Sequence, residues 1–430
     1  MTKTASLNNG SFESVILKST TTPKEGFEIR DLINEFNIYQ SLEVPFLSAK
    51  GVIVDGVGML NNILLSGGEQ ITFTYKTTDP SGEVFMRSIN MFVTGIETLE
   101  KRGNNSVYVI NLGSAHYVTN AHTRISQAYN GKSSDIIKKI FEDKLKLSEQ
   151  YYDIEETQDN IKVVVPNLKI ADTLTWISRR ALSLNNTPCF TFEYLDGSMG
   201  FKSLEGLYSR GPIFDYYRRD TQSTDPLTTY FNINFLQVDK VSNNYKNIND
   251  GMYAAKVYAF DPLTREIVEH NFDIAEKELQ MTTMLNDAIY DTGIQLNGKY
   301  LNELPEAKIY NVITTSNGSN NSRPEITSSH DAIGDYHTNS EFKVPFLNSK
   351  LLQLENFLIT VSVQGNTSLF PGAIISLTIP SSTTQLKDTD YSNDKFFSGN
   401  YIVLSVRHIF TAQSHMTIMQ LGKDSFKVNE

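Results

Sequence analysis

The chain has 430 residues, 40% of them hydrophobic, and a formal net charge of −11 at pH 7. Single hydrophobic cores stop growing well below this length, so the chain is expected to form two to four compact units. Acidic and basic residues are interspersed, and the densest basic pairs are Arg179-Arg180 and Arg218-Arg219. This charge pattern argues against specific nucleic-acid binding.

Targeting, redox and metal signals are absent from the sequence. Apolar runs such as 357–363 are far shorter than the ~20 residues that a membrane-spanning helix needs. Residues 1–9 are polar and lack the apolar segment of a secretory signal, so the protein is expected to stay in the cytoplasm until it assembles. The single cysteine, Cys189, excludes an internal disulfide and a cysteine-based zinc site. No metal and no cofactor are expected.

Residues 1–115 are predicted to form a first small β-barrel or sandwich. Alternation with period two, in β-branched and aromatic residues, predicts five to seven antiparallel strands. Turn residues such as Ser66-Gly67-Gly68 and Asp79-Pro80-Ser81-Gly82 separate them. The predicted strands are 15–18, 44–55, 70–75, 84–99 and 107–112.

Residues 116–225 change periodicity and predict an inserted α+β module. Ser134 is the predicted N-cap of an amphipathic helix at 135–145. A second helix is predicted at 171–184, with Asp172 as its cap and two arginines near its C-terminal end, where the helix dipole favours cations. Alternation in 189–194 and 199–204, around Asp196-Gly197, predicts a β-hairpin.

Residues 226–260 and 345–424 are predicted to form a second small barrel, with residues 261–344 inserted between its two parts. A helix is predicted at 274–284 and a long Asn/Ser-rich loop at 314–338. The chain is therefore expected to be mainly β, with α+β insertions and two small antiparallel barrels. The strands predicted for the second barrel are 230–239, 252–259, 357–363, 373–379, 400–410 and 415–421.

Three C-terminal segments carry a recognisable order of residues. A turn leads into Pro371-Gly372 at the start of a strand, a Gly399-x-Tyr401 strand ends in Val406-x-His408, and a final strand follows at 416–419. Proline fixes φ at such a corner, glycine permits it, and the alternating strand packs inward. This order resembles the second barrel of the baseplate hub proteins of contractile-tailed, T-even-like phages and of the type VI secretion spike.

Two earlier segments fit the same resemblance. Residues 46–55, followed by the Gly67-Gly68-Glu69 turn, look like the opening of the hub's first barrel. Residues 172–180 and the hairpin after them look like the module between the two barrels. The resemblance thus covers most of the chain in the expected order. It implies six candidate interface residues, namely Phe46, Gly67, Gly68, Pro371, Gly372 and Tyr401.

The resemblance implies a structural function without catalysis. Three copies would form a ring whose six barrels match the six-fold tail tube, with the three-fold central spike on the other side and a channel for DNA ejection. Other expected partners are tube-initiator and surrounding baseplate wedge proteins, and the expected location is the virion. No spike segment follows the second barrel here, which favours a phage hub whose spike is a separate protein. Alternatives are the distal hub of a non-contractile tail and, less favoured, a tail-associated cell-wall hydrolase.

Several polar groups are candidates for chemical sites. His116 and His122 lack a His-Glu-x-x-His pattern, while His408 and His415 are interpreted as strand-end residues that fix a turn. The carboxylates at 155–156 and 387–391 are interpreted as solvated loops, although a metal ion at 387–391 is left open. The aromatic run 214–220 is favoured slightly as a protein contact over a core strand, and the lone tryptophan is interpreted as a packing residue.

Overall fold

The structure is a computed structural model of the whole chain. It describes residues 12–20, 22–59, 65, 67–78, 84–103, 105–181, 183, 187–219, 229–261, 265–274, 284–287, 295–296, 298–300, 307–313, 340–381, 393–394 and 396–426.

The described residues of the N-terminal region form seven strands, within the range of five to seven that the alternating pattern predicts, and five of them lie at the predicted places. Inward-facing side chains of these strands form one core, in which the rings of Phe36 and Phe73 stack with centroids 4.2 Å apart. A strand that the sequence analysis did not predict, at 33–41, belongs to this core through Phe36 and Ile38. The strands are β1 (Phe12–Lys18), β2 (Phe27–Glu28), β3 (Ile33–Ser41), β4 (Ser48–Asp55), β5 (Gln70–Thr78), β6 (Val84–Arg102) and β7 (Asn105–Gly113), with a 3-10 turn at Arg30–Leu32.

The next region is an α+β module with its own core of aliphatic and aromatic side chains. The predicted hairpin is confirmed as a pairing of residues 189–193 with 199–203. The elements are α1 (Ala115–His122), β8 (Arg124–Ile125), β9 (Ala128–Gly131), α2 (Ser133–Asp143), a 3-10 turn at Glu149–Tyr151, β10 (Tyr152–Ile154), β11 (Ile161–Val164), β12 (Leu168–Lys169), α3 (Ile170–Ser178), β13 (Cys189–Glu193), β14 (Met199–Ser203) and α4 (Leu204–Tyr208).

Both predicted helices of this module exist, but distant residues cap them. In α2 the Ser133 hydroxyl and amide donate to Asp159, and the Ser134 amide donates to the Thr157 hydroxyl at 3.1 Å. In α3, which ends at residue 178, the Ala171 amide donates to Asn120 Oδ1 at 2.8 Å. The predicted caps at residues 134 and 172 were therefore wrong, because tertiary neighbours satisfy these first amides.

The C-terminal half supplies the remaining strands and two helices. They are β15 (Pro212–Tyr217), β16 (Ile233–Lys240), α5 (Asn244–Asn249), β17 (Ala254–Asp261), β18 (Glu266–Asp273), β19 (Gln295–Leu296), β20 (Lys299–Tyr300), β21 (Ile309–Ile313), α6 (Ser340–Leu354), β22 (Phe357–Gln364), β23 (Ile374–Thr378), β24 (Gly399–Thr411) and β25 (His415–Lys423). The chain is mainly β with helical insertions, as predicted.

One 13-stranded sheet runs through both halves of the chain in the order β16-β22-β25-β24-β3-β4-β7-β6-β5-β1-β2, with β23 beside β24 and β15 beside β23. The long strand β24 pairs with β23 through its first residues and with β3 through its last. An isolated bridge between Tyr217 and Asn232 links the ends of β15 and β16, so the six strands β15, β16 and β22–β25 close on themselves.

The sheet pairing differs from the sequence-based division at two strands. β15, within the predicted module, pairs in parallel with β23 of the C-terminal sheet. β17, predicted to join the second barrel, instead pairs with β18 and β21 in a separate three-stranded sheet. Helix α6 covers one face of that sheet through Phe346, which meets Phe272 edge to face at 6.3 Å. Strand periodicity reports which side chains are buried, but it does not report which strand is the neighbour, so both assignments needed the tertiary structure.

Three expectations fall on residues outside those described. The helix predicted at 274–284 and the Asn/Ser-rich loop predicted at 314–338 lie almost wholly there. The acidic segment at 387–391 lies there as well.

Candidate functional site: the junction between the two barrels

The two halves of the sheet meet where β24 pairs with β3, from Ser405 opposite Ser41 to Thr411 opposite Glu35. The C-terminal strand thereby completes the N-terminal core. Phe410 is fully buried there, with its ring 5.2 Å from that of Phe73 and 5.0 Å from that of Tyr75. The hydrophobic packing that holds the first barrel therefore includes a side chain of the second.

Two buried histidines lie beside this packing. His415 stacks on Phe410 with ring centroids 4.1 Å apart, and its Nε2 is 3.3 Å from Nδ1 of His408. The Thr417 hydroxyl is also 3.3 Å from that Nδ1 atom. Burial lowers the pKa of His408 to about 3, and burial next to His408 holds the pKa of His415 well below its usual value. Both rings are neutral at pH 7, which fits their interpretation as structural residues. His415 is the first residue of β25, as expected for a strand-end residue, whereas His408 lies within β24.

The turn between β22 and β23 fastens the second barrel to the first. On the side of the second barrel, the Asn366 amide donates to Thr417 Oγ1 of β25 at 3.0 Å, and its Nδ2 donates to the Tyr216 hydroxyl of β15 at 3.1 Å. The Thr367 hydroxyl reaches Thr77 of β5 at 3.4 Å. This turn therefore touches strands of both barrels.

A buried lysine sits at the other end of the second barrel. Lys423 Nζ lies 4.7 Å from the ring centroid of Phe357, 5.0 Å from that of Tyr401 and 4.2 Å from that of Phe426, and it donates to the Phe396 carbonyl. Burial lowers its pKa to about 7, while the faces of the surrounding rings favour its charged form. Nothing in the sequence pattern indicated this aromatic cage, because its residues are brought together from three separate segments, around 357, 396–401 and 423–426.

A cleft of about 410 Å³ opens on the outer face of the junction. Arg407 lines it, with Nε donating to Asn37 Oδ1 at 2.9 Å and a terminal nitrogen 3.3 Å from Glu35 Oε1. Its guanidinium also lies 5.7 Å from the ring centroid of Tyr39. The arginine thus holds β24 to β3 from the outside while Phe410 does so from the inside.

Four of the six candidate interface residues are buried within the chain. Tyr401 is fully buried and donates its hydroxyl to the Phe397 carbonyl at 2.6 Å, and Phe46 packs in the core of the α+β module. Pro371 and Gly372 are buried at the start of β23. Gly372 has φ +88°, and a Cβ there would lie 2.9 Å from Leu207 of α4. These four residues pack between segments of one chain, and their place in an interface stays a prediction.

Gly67 and Gly68 are the exposed pair among the six. They have φ values of +106° and +95°, and the Gly68 amide donates to the Val93 carbonyl at 2.7 Å. This is the tight turn that the sequence predicts before β5. Their place in an interface stays a prediction.

The other residues weighed for chemistry are placed by the structure in packing or in ion pairs. Residues 214–217 of the aromatic run lie in β15, where Tyr216 is buried in the core of the second barrel while Asp215 is exposed. The protein contact predicted for this run stays a prediction. Glu156 pairs with Lys132, and Glu155 accepts from the amide of Ser203 at 3.0 Å. Trp176 packs against the module core, beneath the Arg180 guanidinium at 4.0 Å.

The described part of the chain offers neither a clustered metal-ligand set nor a membrane-spanning helix. No group of three or more His, Cys, Asp or Glu side chains is placed there to hold a metal ion. No described helix has both the length and the apolar character needed to span a membrane.

No family model matches the sequence. The fold is similar to that of a tail protein from Neisseria meningitidis MC58, with a TM-score of 0.54 and 11% sequence identity, over 96% of this chain and 97% of that one. It is also similar to the 43 kDa tail protein of prophage MuSo2 from Shewanella oneidensis, with a TM-score of 0.53 and 8% identity, over 96% of this chain and 99% of that one. The chain therefore has the fold of phage-type tail proteins over nearly its whole length.

A curated protein matches part of the sequence. The 3'-5' exonuclease DinG of Staphylococcus saprophyticus is 24% identical over 222 residues, which are 49% of this chain and 23% of that protein. The chain thus covers about a quarter of the length of that relative.

Proposed function

We propose that this protein is a structural subunit of a phage-type tail, and that it forms the central baseplate hub between tail tube and spike. The observation that carries the proposal is the single sheet in which β24 and β3 join two barrel-like halves, in a chain whose whole length follows the fold of two tail proteins. Such a chain presents two similar units in a fixed relation.

The proposed assembly is a ring of three copies. Three chains with two barrels each place six similar units around an axis, which matches a six-fold tube on one face and leaves three-fold symmetry on the other for a spike. In a closed ring of heterologous contacts, every interface surface of each chain is also covered by a neighbouring chain. The joint at β3 and β24 has to be rigid in this arrangement, because it sets the angle between neighbouring barrels.

The proposed division of the chain follows the sheet pairing. The first barrel comprises β1–β7 within residues 1–115, and the α+β module follows from residue 116 to α4. The second barrel comprises β15, β16 and β22–β25, with β17–β21 and α6 as an insertion. Spike, tube or tube-initiator and wedge proteins are the proposed partners, and the virion tail is the proposed location.

The test is the mass and symmetry of the purified chain, measured by light scattering and negative-stain imaging with and without the spike protein encoded nearby. A ring of three, formed alone or on addition of spike, is expected. A chain that stays monomeric and binds neither spike nor tube proteins would overturn the hub proposal, while the likeness of its fold to tail proteins would stand.

Paired variants at two exposed glycine turns sharpen this test. Gly68→Arg places a long cation at the predicted interface turn, and Gly103→Arg places the same side chain at the turn between β6 and β7, where φ is also positive and a Cβ meets nothing within 4 Å. Both carry the same type of backbone strain. Loss of the ring in Gly68→Arg but not in Gly103→Arg is expected, and equal behaviour of the two variants would remove this turn from the interface.

The same preparation distinguishes the other functions. Sheath genes beside the coding gene separate a contractile from a non-contractile tail. Hydrolysis of cell walls in a zymogram would favour the hydrolase, and digestion of single-stranded DNA with added magnesium would extend the likeness to the exonuclease into an activity.

A further inference from the structure

A buried carboxyl group fastens the hairpin β13–β14 to the first barrel. Glu193, at the end of β13, is 3% exposed. Its Oε2 atom accepts from the Leu47 amide at 2.8 Å, just before β4, and from the Ser114 hydroxyl at 2.8 Å, after β7. Its backbone carbonyl accepts from Gln40 Nε2 of β3 at 3.1 Å. One residue of the module is therefore bonded to three separate segments of the barrel.

The segments that bond Glu193 also hold a helix start and a strand pairing in place. Ser114 is the N-cap of α1, since its Oγ accepts from the Tyr117 amide at 3.2 Å. Its own amide donates to the Leu47 carbonyl at 3.2 Å, so the two residues that bond Glu193 extend the pairing of β4 with β7. Release of the carboxyl group would loosen the cap, the end of this pairing and the hairpin together.

Few charged groups face this carboxyl group. On α1, His116 Nε2 is 3.9 Å from Glu193 Oε1 and contacts the Gly197 carbonyl at 3.0 Å. Burial lowers the pKa of His116, so this ring is neutral near pH 7. In the hairpin turn, Asp196 adds a like charge. The barrel side contributes the neutral groups of Gln40, Leu47 and Ser114, and no lysine or arginine of the described residues forms an ion pair with Glu193.

We propose that Glu193, with Leu47, Ser114 and Gln40, forms a proton-controlled joint that holds the α+β module on the first barrel while its carboxyl group is protonated and loosens when that group ionises. The reason is that a carboxylate buried without a compensating cation costs far more free energy than a neutral carboxylic acid in the same place. This joint lies within one chain, so it stands whether or not the chain forms a ring.

The expected size follows from linkage. Burial raises the pKa of Glu193 to about 8, against ~4.3 for an exposed glutamate. The open state therefore releases one proton in this range, and its equilibrium constant rises about tenfold per pH unit until the plateau above pH 8. Over the interval from pH 6.6 to 7.6 a histidine that becomes exposed on opening, with a pKa of ~6.5, changes the opening equilibrium less than about twofold and in the opposite direction, so the carboxyl group dominates.

Hydrogen exchange of the full-length protein tests the joint directly. The Leu47 amide is itself a donor to the carboxyl group, so a peptide that contains it reports opening. After correction for the intrinsic exchange rate, protection of this peptide and of β13 is expected to fall about tenfold from pH 6.6 to 7.6 in the wild type. In Glu193→Gln, which cannot ionise, protection is expected to be independent of pH over this interval.

Glu155→Gln is the matched control. Glu155 lies in the same module and also accepts from a serine hydroxyl and a backbone amide, those of Ser203. This variant should keep the wild-type slope. A tenfold slope that persists in Glu193→Gln, or a flat profile in the wild type, would overturn the proposal.

A second variant covers the case in which Glu193→Gln does not fold. Ser114→Ala removes one donor to the carboxyl group, which raises its pKa further, so the plateau is expected to move to higher pH. A plateau that stays in place would overturn the proposal as well.

Discussion

Phe410 lies in a strand of the second barrel but is buried in the core of the first, so its truncation tests whether the two halves are energetically one unit. Phe410→Ala removes a fully buried ring that contacts Phe73, Tyr75 and His415. Such truncations typically cost about 3–5 kcal/mol, because transfer of the ring from water is lost and a cavity remains. At ~1.4 kcal/mol per factor of ten, we expect the folded-to-unfolded ratio to fall by a factor on the order of 10³.

Urea unfolding gives the magnitude, and hydrogen exchange gives its location. The loss is expected in the amides of β5, which carries Phe73 and Tyr75, although β5 is more than three hundred residues from the substitution. The single tryptophan, Trp176, reports the module separately by fluorescence. Phe357→Ala is the control, since Phe357 is equally buried but packs in the second barrel alone. If Phe410→Ala leaves β5 protected and weakens only β22–β25, the two barrels are independent and the reasoning fails.

Three further predictions concern buried groups of the second barrel. First, the free energy of unfolding should fall on acidification below pH 6.5, because the folded pKa of His408 is about 3 and the unfolded state binds the extra proton. A single such group costs about 2 kcal/mol at pH 5. Urea titrations of wild type and His408→Asn at pH 7 and pH 5 should show a smaller loss of stability in the variant. Second, Lys423→Met should raise the free energy of unfolding at pH 7 by about 1–4 kcal/mol, since it removes a buried cation and keeps the volume within the aromatic cage. A variant that unfolds at lower urea concentration than the wild type would show that attraction between the ammonium group and the ring faces outweighs the cost of burying the lysine. Third, Gly372→Ala should lower the free energy of unfolding by about 1–3 kcal/mol, because its Cβ would clash with Leu207 and because φ is positive there. Gly197→Ala is the control, since φ is also positive there but the space around it is open. In thermal melts it should cost less than half as much.

The local pattern of apolar and polar residues was enough to predict most strands and the hairpin of the module. In the first part of β22, from Phe357 to Val361, buried residues alternate with half-buried ones, and this pattern is a property of the segment that survives in any tertiary context that buries one face. Helix α2 was likewise predicted from the spacing of its apolar residues, of which Ile136, Ile137 and Ile140 are fully buried. The order of residues around Pro371-Gly372 and Gly399-x-Tyr401 pointed to the fold of tail proteins that the structure comparison supports.

Partners across the fold could not be predicted in the same way. Strand β3 was not predicted, because Asn34, Asn37 and Gln40 interrupt its apolar alternation. One of its edges pairs with β4, but the other pairs with β24, far along the chain. Phe410 looks in sequence like one more alternating residue of the second barrel. Its place in the first core depends on the β3–β24 register.

The amino-acid sequence by itself thus determined the secondary structure of most of the barrel strands and the class of fold, because periodicity and turn chemistry act over a few residues. The tertiary structure alone decided which strands are neighbours, which distant residues cap α2 and α3, and where the buried ionisable groups of Glu193 and Lys423 find their hydrogen-bond partners. Those contacts join residues tens to hundreds of positions apart, and no local pattern records the approach of one segment to another.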